Sequence, residues 1–99
     1  MRATNGLEGL PNIGPALARD LAAAGVESPA QLREMGAKSA WARVRDVNPE
    51  RDCASSLLAL EGAVRGVRWT SIQPAERQQL SDYAAEHRRA REHSGDPAR

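Results

Sequence analysis

The sequence predicts an all-α domain, a compact bundle of about five short helices. Three observations carry this expectation. Apolar residues recur at helical spacing, as in Ile13, Leu17 and Leu21, and again in Cys53, Leu57, Leu60 and Val64. Prolines and glycines punctuate the chain at intervals that suit short helices. β-branched residues are few and never alternate over a strand-length run, which argues against strands.

With 99 residues the chain has the length of one domain. A domain of this size buries about 65% of the surface its unfolded chain exposes, enough for one modest core. Phe is absent, and the large aromatics are Trp41, Trp69 and Tyr83. A core of Leu, Val and Ala suits close helix-on-helix packing. Cys53 is the single cysteine, so no internal disulfide and no metal-ligand spacing is expected, and a reducing, cytoplasmic setting fits. No signal peptide or membrane span is expected.

Leu7 to Leu10 reads as a single first turn, stopped by Pro11, which disfavours the α conformation at the residue before it. The next helix begins at Pro15, where a missing N–H costs nothing, and Gly25 closes it. Ser28-Pro29-Ala30-Gln31 opens another, with Ser28 and Gln31 as a capping box, and Gly36 ends it. A helix from about Ala37 to Asp46 turns Ala37, Ala40, Trp41 and Val44 inward, with Lys38, Arg43 and Arg45 on or near the outer face. Asn48-Pro49 marks either a break or the start of the fifth helical element. That element, from about Asp52 to Arg65, is the most apolar and is expected to be central. Gly62 in its interior costs about 1 kcal/mol against alanine, so a close approach by a neighbour is expected there. Pro74 starts the last helix, with Glu76 in its first turn and Leu80, Tyr83, Ala84 and His87 as an inward stripe. The helical domain thus spans residues 5–91, and residues 92–99 read as a flexible basic tail.

The net charge of +1 is unevenly spread. Residues 88–99 sum to +2, which leaves the body at about −1. A body that is not basic binds nucleic acid weakly, because phosphate neutralisation supplies most non-specific affinity. Lys38, Arg43, Arg45, Arg51, Arg65 and Arg68 are interleaved with Asp46, Glu50, Asp52 and Glu61, which reads as a solvated face with local ion pairs. Glu61 and Arg65 stand at i, i+4 in the favourable order.

The segment Leu10-Pro11-Asn12-Ile13-Gly14-Pro15-Ala16-Leu17-Ala18 resembles a helix-hairpin-helix motif. In that motif the second helix presents free amides to a DNA phosphate. Helix N-termini attract anions because their first N–H groups lack partners and the dipole is positive there. Gly14, Ala16, Leu17 and Ala18 offer such amides, and Pro15 does not. Asn12 stands where the motif usually has glycine, and asparagine tolerates the left-handed conformation. Ala16 stands where DNA-binding versions often carry a cation, and Arg19, one turn on, is its partial replacement. The candidate DNA-binding set is therefore Asn12, Ile13, Gly14, Ala16, Leu17 and Arg19. The competing reading is a purely structural turn in a protein-interaction or self-associating module.

Trp41 and Trp69 read as core or core-edge residues, with Trp69 folding back over the central helix. No carboxylate pair, Ser/His/Asp set or metal cluster recurs at useful spacing, and His87 and His93 stand near the C-terminus. No enzyme activity, cofactor or small-molecule substrate is expected. Cys53 lies on an apolar stripe, where an unreactive buried thiol is expected.

In order along the chain, Leu10-Pro11-Asn12-Ile13-Gly14-Pro15, Gly25-Val26, Leu32-Arg33-Glu34-Met35-Gly36-Ala37, Leu57-Leu58-Ala59-Leu60-Glu61-Gly62-Ala63 and Arg68-Trp69 resemble the C-terminal domain of the TfoX family. The resemblance covers about residues 7–87. It implies a fold of the helix-hairpin-helix and SAM-like kind and a link to bacterial regulation of competence and transcription. TfoX proteins usually carry an N-terminal domain that has no counterpart here, which implies an excised domain or a stand-alone version.

Overall fold

The computed structural model describes residues 6–94, and the side chains of residues 6–88. Five α-helices carry the fold: α1 (Pro15–Ala23), α2 (Pro29–Met35), α3 (Ala37–Val47), α4 (Ala54–Arg65) and α5 (Pro74–Ser94). Single 3₁₀ turns at Leu7–Gly9, Pro49–Arg51 and Trp69–Ser71 link them, and the described residues contain no strand. The all-α expectation therefore stands. The last helix is longer than expected: α5 runs on to Ser94, and the part of the supposed tail from residue 95 to 99 lies outside the described residues. The side chains of Arg89, Arg91 and His93 lie outside them too.

Helix boundaries match the punctuation. Pro15, Pro29 and Pro74 each open a helix. Ser28 accepts a hydrogen bond from the Gln31 amide at 3.1 Å. Gln31 reaches back one residue further than a capping box requires, accepting from the Glu27 amide at 2.9 Å and donating to the Gly25 carbonyl at 2.7 Å. Gly36 serves both as the end of α2 and the start of α3, with φ of +86°. A side chain there would be strained, so α2 and α3 can adjoin without a linker only because this residue is glycine. Asn48 does not open α4. Its side chain instead caps the 3₁₀ turn by accepting from the Glu50 amide at 3.2 Å.

α4 is the hub, packed chiefly between α3 and α5 and also touching α2. Leu57, Leu60 and Ala63 are fully buried on it, in one core with Trp41 and Val44 of α3 and Leu80 and Ala84 of α5. Its C-terminus is tied to α5 by Arg65, which donates to Glu61 at 2.7 Å and to both Glu76 oxygens at 3.1 and 3.2 Å. The two carboxylates raise the Arg65 pKa, and the guanidinium in turn holds Glu76 below its ordinary value.

Several placements differ from the sequence expectations. Arg45 is buried at 6% exposure, where an outer-face residue was expected. Its guanidinium lies 4.3 Å from the Trp41 ring centre, and its Nη2 donates to the His87 carbonyl at 3.4 Å. His87 is exposed rather than inward, stacked on Tyr83 with ring centres 3.9 Å apart. Cys53 is half-buried and lies at the N-cap of α4, not inside it, and Val64 is also only half-buried.

Candidate functional site

The hairpin is built by local backbone preferences and then fastened at a distance. Leu10 is extended, as a residue before proline should be. Asn12 adopts φ of +72°, the only non-glycine residue with positive φ among those described. Gly14 is extended at the N-cap of α1, and Pro15 takes the first helical position. The Ala18 amide closes the first helical turn onto the Gly14 carbonyl at 3.0 Å, so it is not open to a ligand as the sequence suggests. No side chain caps this helix, so the amides of Ala16 and Leu17 precede the first such bond.

The expected site residues separate into two groups. Ile13 and Leu17 are buried at 5% and 6% exposure, so their side chains anchor the turn in the core and only their backbone can meet a ligand. Gly14, Ala16 and Arg19 are exposed. Asn12 belongs to neither group. Its Nδ2 donates to the Val67 carbonyl at 2.9 Å and the Ala59 carbonyl at 3.4 Å, while its Oδ1 accepts from the Trp69 amide at 3.1 Å. Its carboxamide is therefore occupied in fastening the hairpin to α4 and the loop after it.

Gly62 makes this fastening possible. A Cβ at position 62 would collide with the Asn12 Nδ2 and come within 2.7 Å of the Val67 carbonyl oxygen. The sequence predicts a close approach at Gly62 and tolerance of positive φ at Asn12. It does not predict that the two meet, because nothing local connects positions so far apart.

Two shallow grooves flank Asn12 along one side of α4. One, of about 350 Å³, has walls from the hairpin (Gly14 to Leu17), Arg51, Cys53, Ser55, Ser56 and Ala59. The other, of about 320 Å³, is bounded by Ser55, Leu58, Ala59, Arg68 and Trp69. Asn12, Ser55 and Ala59 belong to both, so the grooves form one strip with the hairpin at one end and Trp69 at the other. Trp69 keeps 42% of its surface exposed, so of the core and core-edge places expected for it, it does not take the core. It does return over α4, and the Arg77 guanidinium lies 5.7 Å from its ring centre.

In the first groove Arg51 is already engaged, donating to Asp20 at 2.7 Å, and Asn48 donates to the same carboxylate oxygen at 3.0 Å. Burial works to raise the Asp20 pKa, but these hydrogen bonds and the neighbouring charges outweigh it, so the carboxyl titrates below its ordinary range. A carboxyl with a depressed folded-state pKa adds stability above its unfolded value, about pH 3.9, and loses it as pH falls through the folded value. Asp20→Asn is thus expected to lower Tm at pH 7, with the gap to the parent protein closing as pH falls below about 4. Thermal melts across that range check the sign.

Cys53 is subject to similar opposing effects. Burial pushes its thiol up, but the Ser56 side chain at 3.4 Å and the open amides at the start of α4 pull it below its ordinary value. Among the described residues, no group of three or more His, Cys, Asp or Glu gathers to hold a metal, and no helix is long and apolar enough to cross a membrane.

Comparison with known proteins points to the same fold as the geometry. Residues 3–84 match the family described as the TfoX C-terminal domain. Over 78 residues the chain is 35% identical to Protein Sxy of Escherichia coli (strain K12), covering 79% of this chain. That match spans only 37% of the length of Protein Sxy. A crystal structure of an uncharacterized protein from Listeria monocytogenes, in a triclinic form, superposes with a TM-score of 0.79 and 38% identity, over 83% of this chain and 92% of that one. A tetragonal form of a Listeria monocytogenes protein of unknown function gives 0.75 and 40%, over 81% and 96%.

Proposed function

The chain belongs to the TfoX C-terminal domain family, and on that premise we propose that it is a non-enzymatic regulatory module that binds duplex DNA weakly and without sequence preference. The observation that carries the reading is the uncapped N-terminus of α1, held at the surface by Asn12. Gly14 and Ala16 are exposed residues, and their amides, with that of Leu17 beside them, suit an anion at this end of the helix. Arg19 adds a positive charge one turn on. Ile13 and Leu17 hold the turn rigid from within the core, and Asn12 positions it. Family membership supports a setting in the regulation of competence and transcription.

Contacts of this kind reach few phosphates. With about two to four engaged, affinity is micromolar or weaker, and log K falls against log salt with a slope of about −2 to −4. A titration with a short duplex at two salt concentrations, followed by amide chemical shifts, tests the mechanism. The expected result is movement concentrated in residues 14–19. Arg19→Gln should weaken binding and make the salt slope shallower by about one. If the hairpin amides stay still while other amides shift, the hairpin is not the contact.

A further inference from the structure

The strip that begins at the hairpin continues past Asn12 into the groove bounded by Leu58, Arg68 and Trp69. A tryptophan 42% exposed beside a concave wall presents a flat apolar face to solvent. Its backbone is anchored, since the Trp69 amide donates to Asn12 Oδ1 at 3.1 Å, and the Arg77 guanidinium lies 5.7 Å from the ring centre. Arg68 stands next to it, exposed and without an ion pair among the described residues. No carboxylate lines this groove, and Ser55 and Asn12 give its floor a polar character. An exposed aromatic face with a cation beside it and no carboxylate in the groove is how proteins receive single-stranded nucleic acid. An apolar peptide would leave Arg68 and the polar floor unmatched, and the groove's volume of about 320 Å³ suits a single flat ring better than a helix.

We propose that this groove binds one unpaired nucleotide, its base stacked on the Trp69 indole and its phosphate against Arg68. The proposal rests on the nucleic-acid reading above and deepens it. The chain would take duplex DNA at the hairpin and an unpaired or frayed strand at the far end of the same strip. Stacking of this kind is tolerant of sequence, because every base has a π-face.

The test uses the full chain and short oligo(dT), an abasic deoxyribose-phosphate strand of equal length, and a duplex. Trp41 is fully buried, so quenching of tryptophan emission on binding reports Trp69. Oligo(dT) is expected to quench that emission, and the abasic strand is not. In variants that lack the reporting indole, the anisotropy of an end-labelled strand gives the affinity: Trp69→Ala should weaken oligo(dT) binding about tenfold, with Trp69→Tyr restoring most of the loss, while duplex affinity stays the same in both. Circular dichroism confirms that each variant is folded, and if the alanine variant is not, Arg68→Gln keeps the proposal falsifiable, since it should weaken oligo(dT) binding and make its salt dependence shallower. Equal binding of abasic strand and oligo(dT), or oligo(dT) affinity indifferent to Trp69, overturns the groove. A failure of the hairpin reading looks different: duplex leaves residues 14–19 unmoved while oligo(dT) still quenches Trp69.

Discussion

Asn12→Ala is expected to lower stability by about 2–3 kcal/mol, a large loss for a half-buried residue in a turn. Two physical effects add. Alanine in the left-handed region costs about 1–2 kcal/mol. The carboxamide's bonds to the Val67 and Ala59 carbonyls and from the Trp69 amide are lost, at about 1 kcal/mol net because water reaches part of the site. Asn12→Gly separates the two effects, since glycine accepts φ of +72° and only the side-chain bonds disappear. Gly62→Ala should destabilise as well, although alanine is the better helix former, because the new methyl has no room beside Asn12 and the Val67 carbonyl. In the Asn12→Gly background the same change should cost less, since one of its two collisions has gone. Urea denaturation of the single and double variants measures this coupling. Additive costs would mean that the two residues act separately.

The second large effect is at Trp41. Trp41→Ala is expected to cost about 3–5 kcal/mol, the usual range for deleting a buried aromatic. That is a large share of the ~5–15 kcal/mol that holds a typical domain folded. The ring is fully buried between α3 and the bundle, and its Nε1 donates to the Arg51 carbonyl at 3.0 Å. It also supports the buried Arg45 guanidinium, 4.3 Å from its centre. Trp41→Phe keeps an apolar ring but removes the donor, so about 1–2 kcal/mol of loss is expected. Denaturant midpoints would show the order, with the alanine variant lowest. Parity between the two variants would place the cost in the hydrogen bond instead of the packing.

Most helix ends are legible in the sequence because they are written locally. Pro15, Pro29 and Pro74 mark starts, and Gly25, Gly36 and Gly66 all adopt the positive φ that glycine permits at or just past a helix end. The inner face of α3 is legible for the same reason, since Ala37, Ala40, Trp41 and Val44 recur at helical spacing and all are buried. Arg45 is not, because its burial depends on its ring neighbour and on α5 passing close to it. Cys53 misleads because the four-residue spacing continues through the cap of α4, where the residue is no longer inside the helix. For Trp69 the sequence leaves core and core-edge open, and only its return over the central helix is legible. Its exposure comes from the path of the loop after Gly66, which the sequence pattern does not describe. In the site, the backbone of the hairpin is readable and its fastening is not, since Asn12 bonds residues 47 to 57 positions away.

That separation has a consequence for the order in which the chain assembles. Asn12 can lock only after α4 and the loop to Trp69 have formed, because its partners are the carbonyls of Ala59 and Val67 and the amide of Trp69. Bringing them together closes a long loop, whose entropy is lost before any bond is gained. The Asn12 lock is therefore expected to form late in folding and to open early when the C-terminal end of α4 frays. Hydrogen exchange at the Trp69 amide should track the opening of the hairpin, and a change that loosens the end of α4 should speed exchange there without touching residues 12–17.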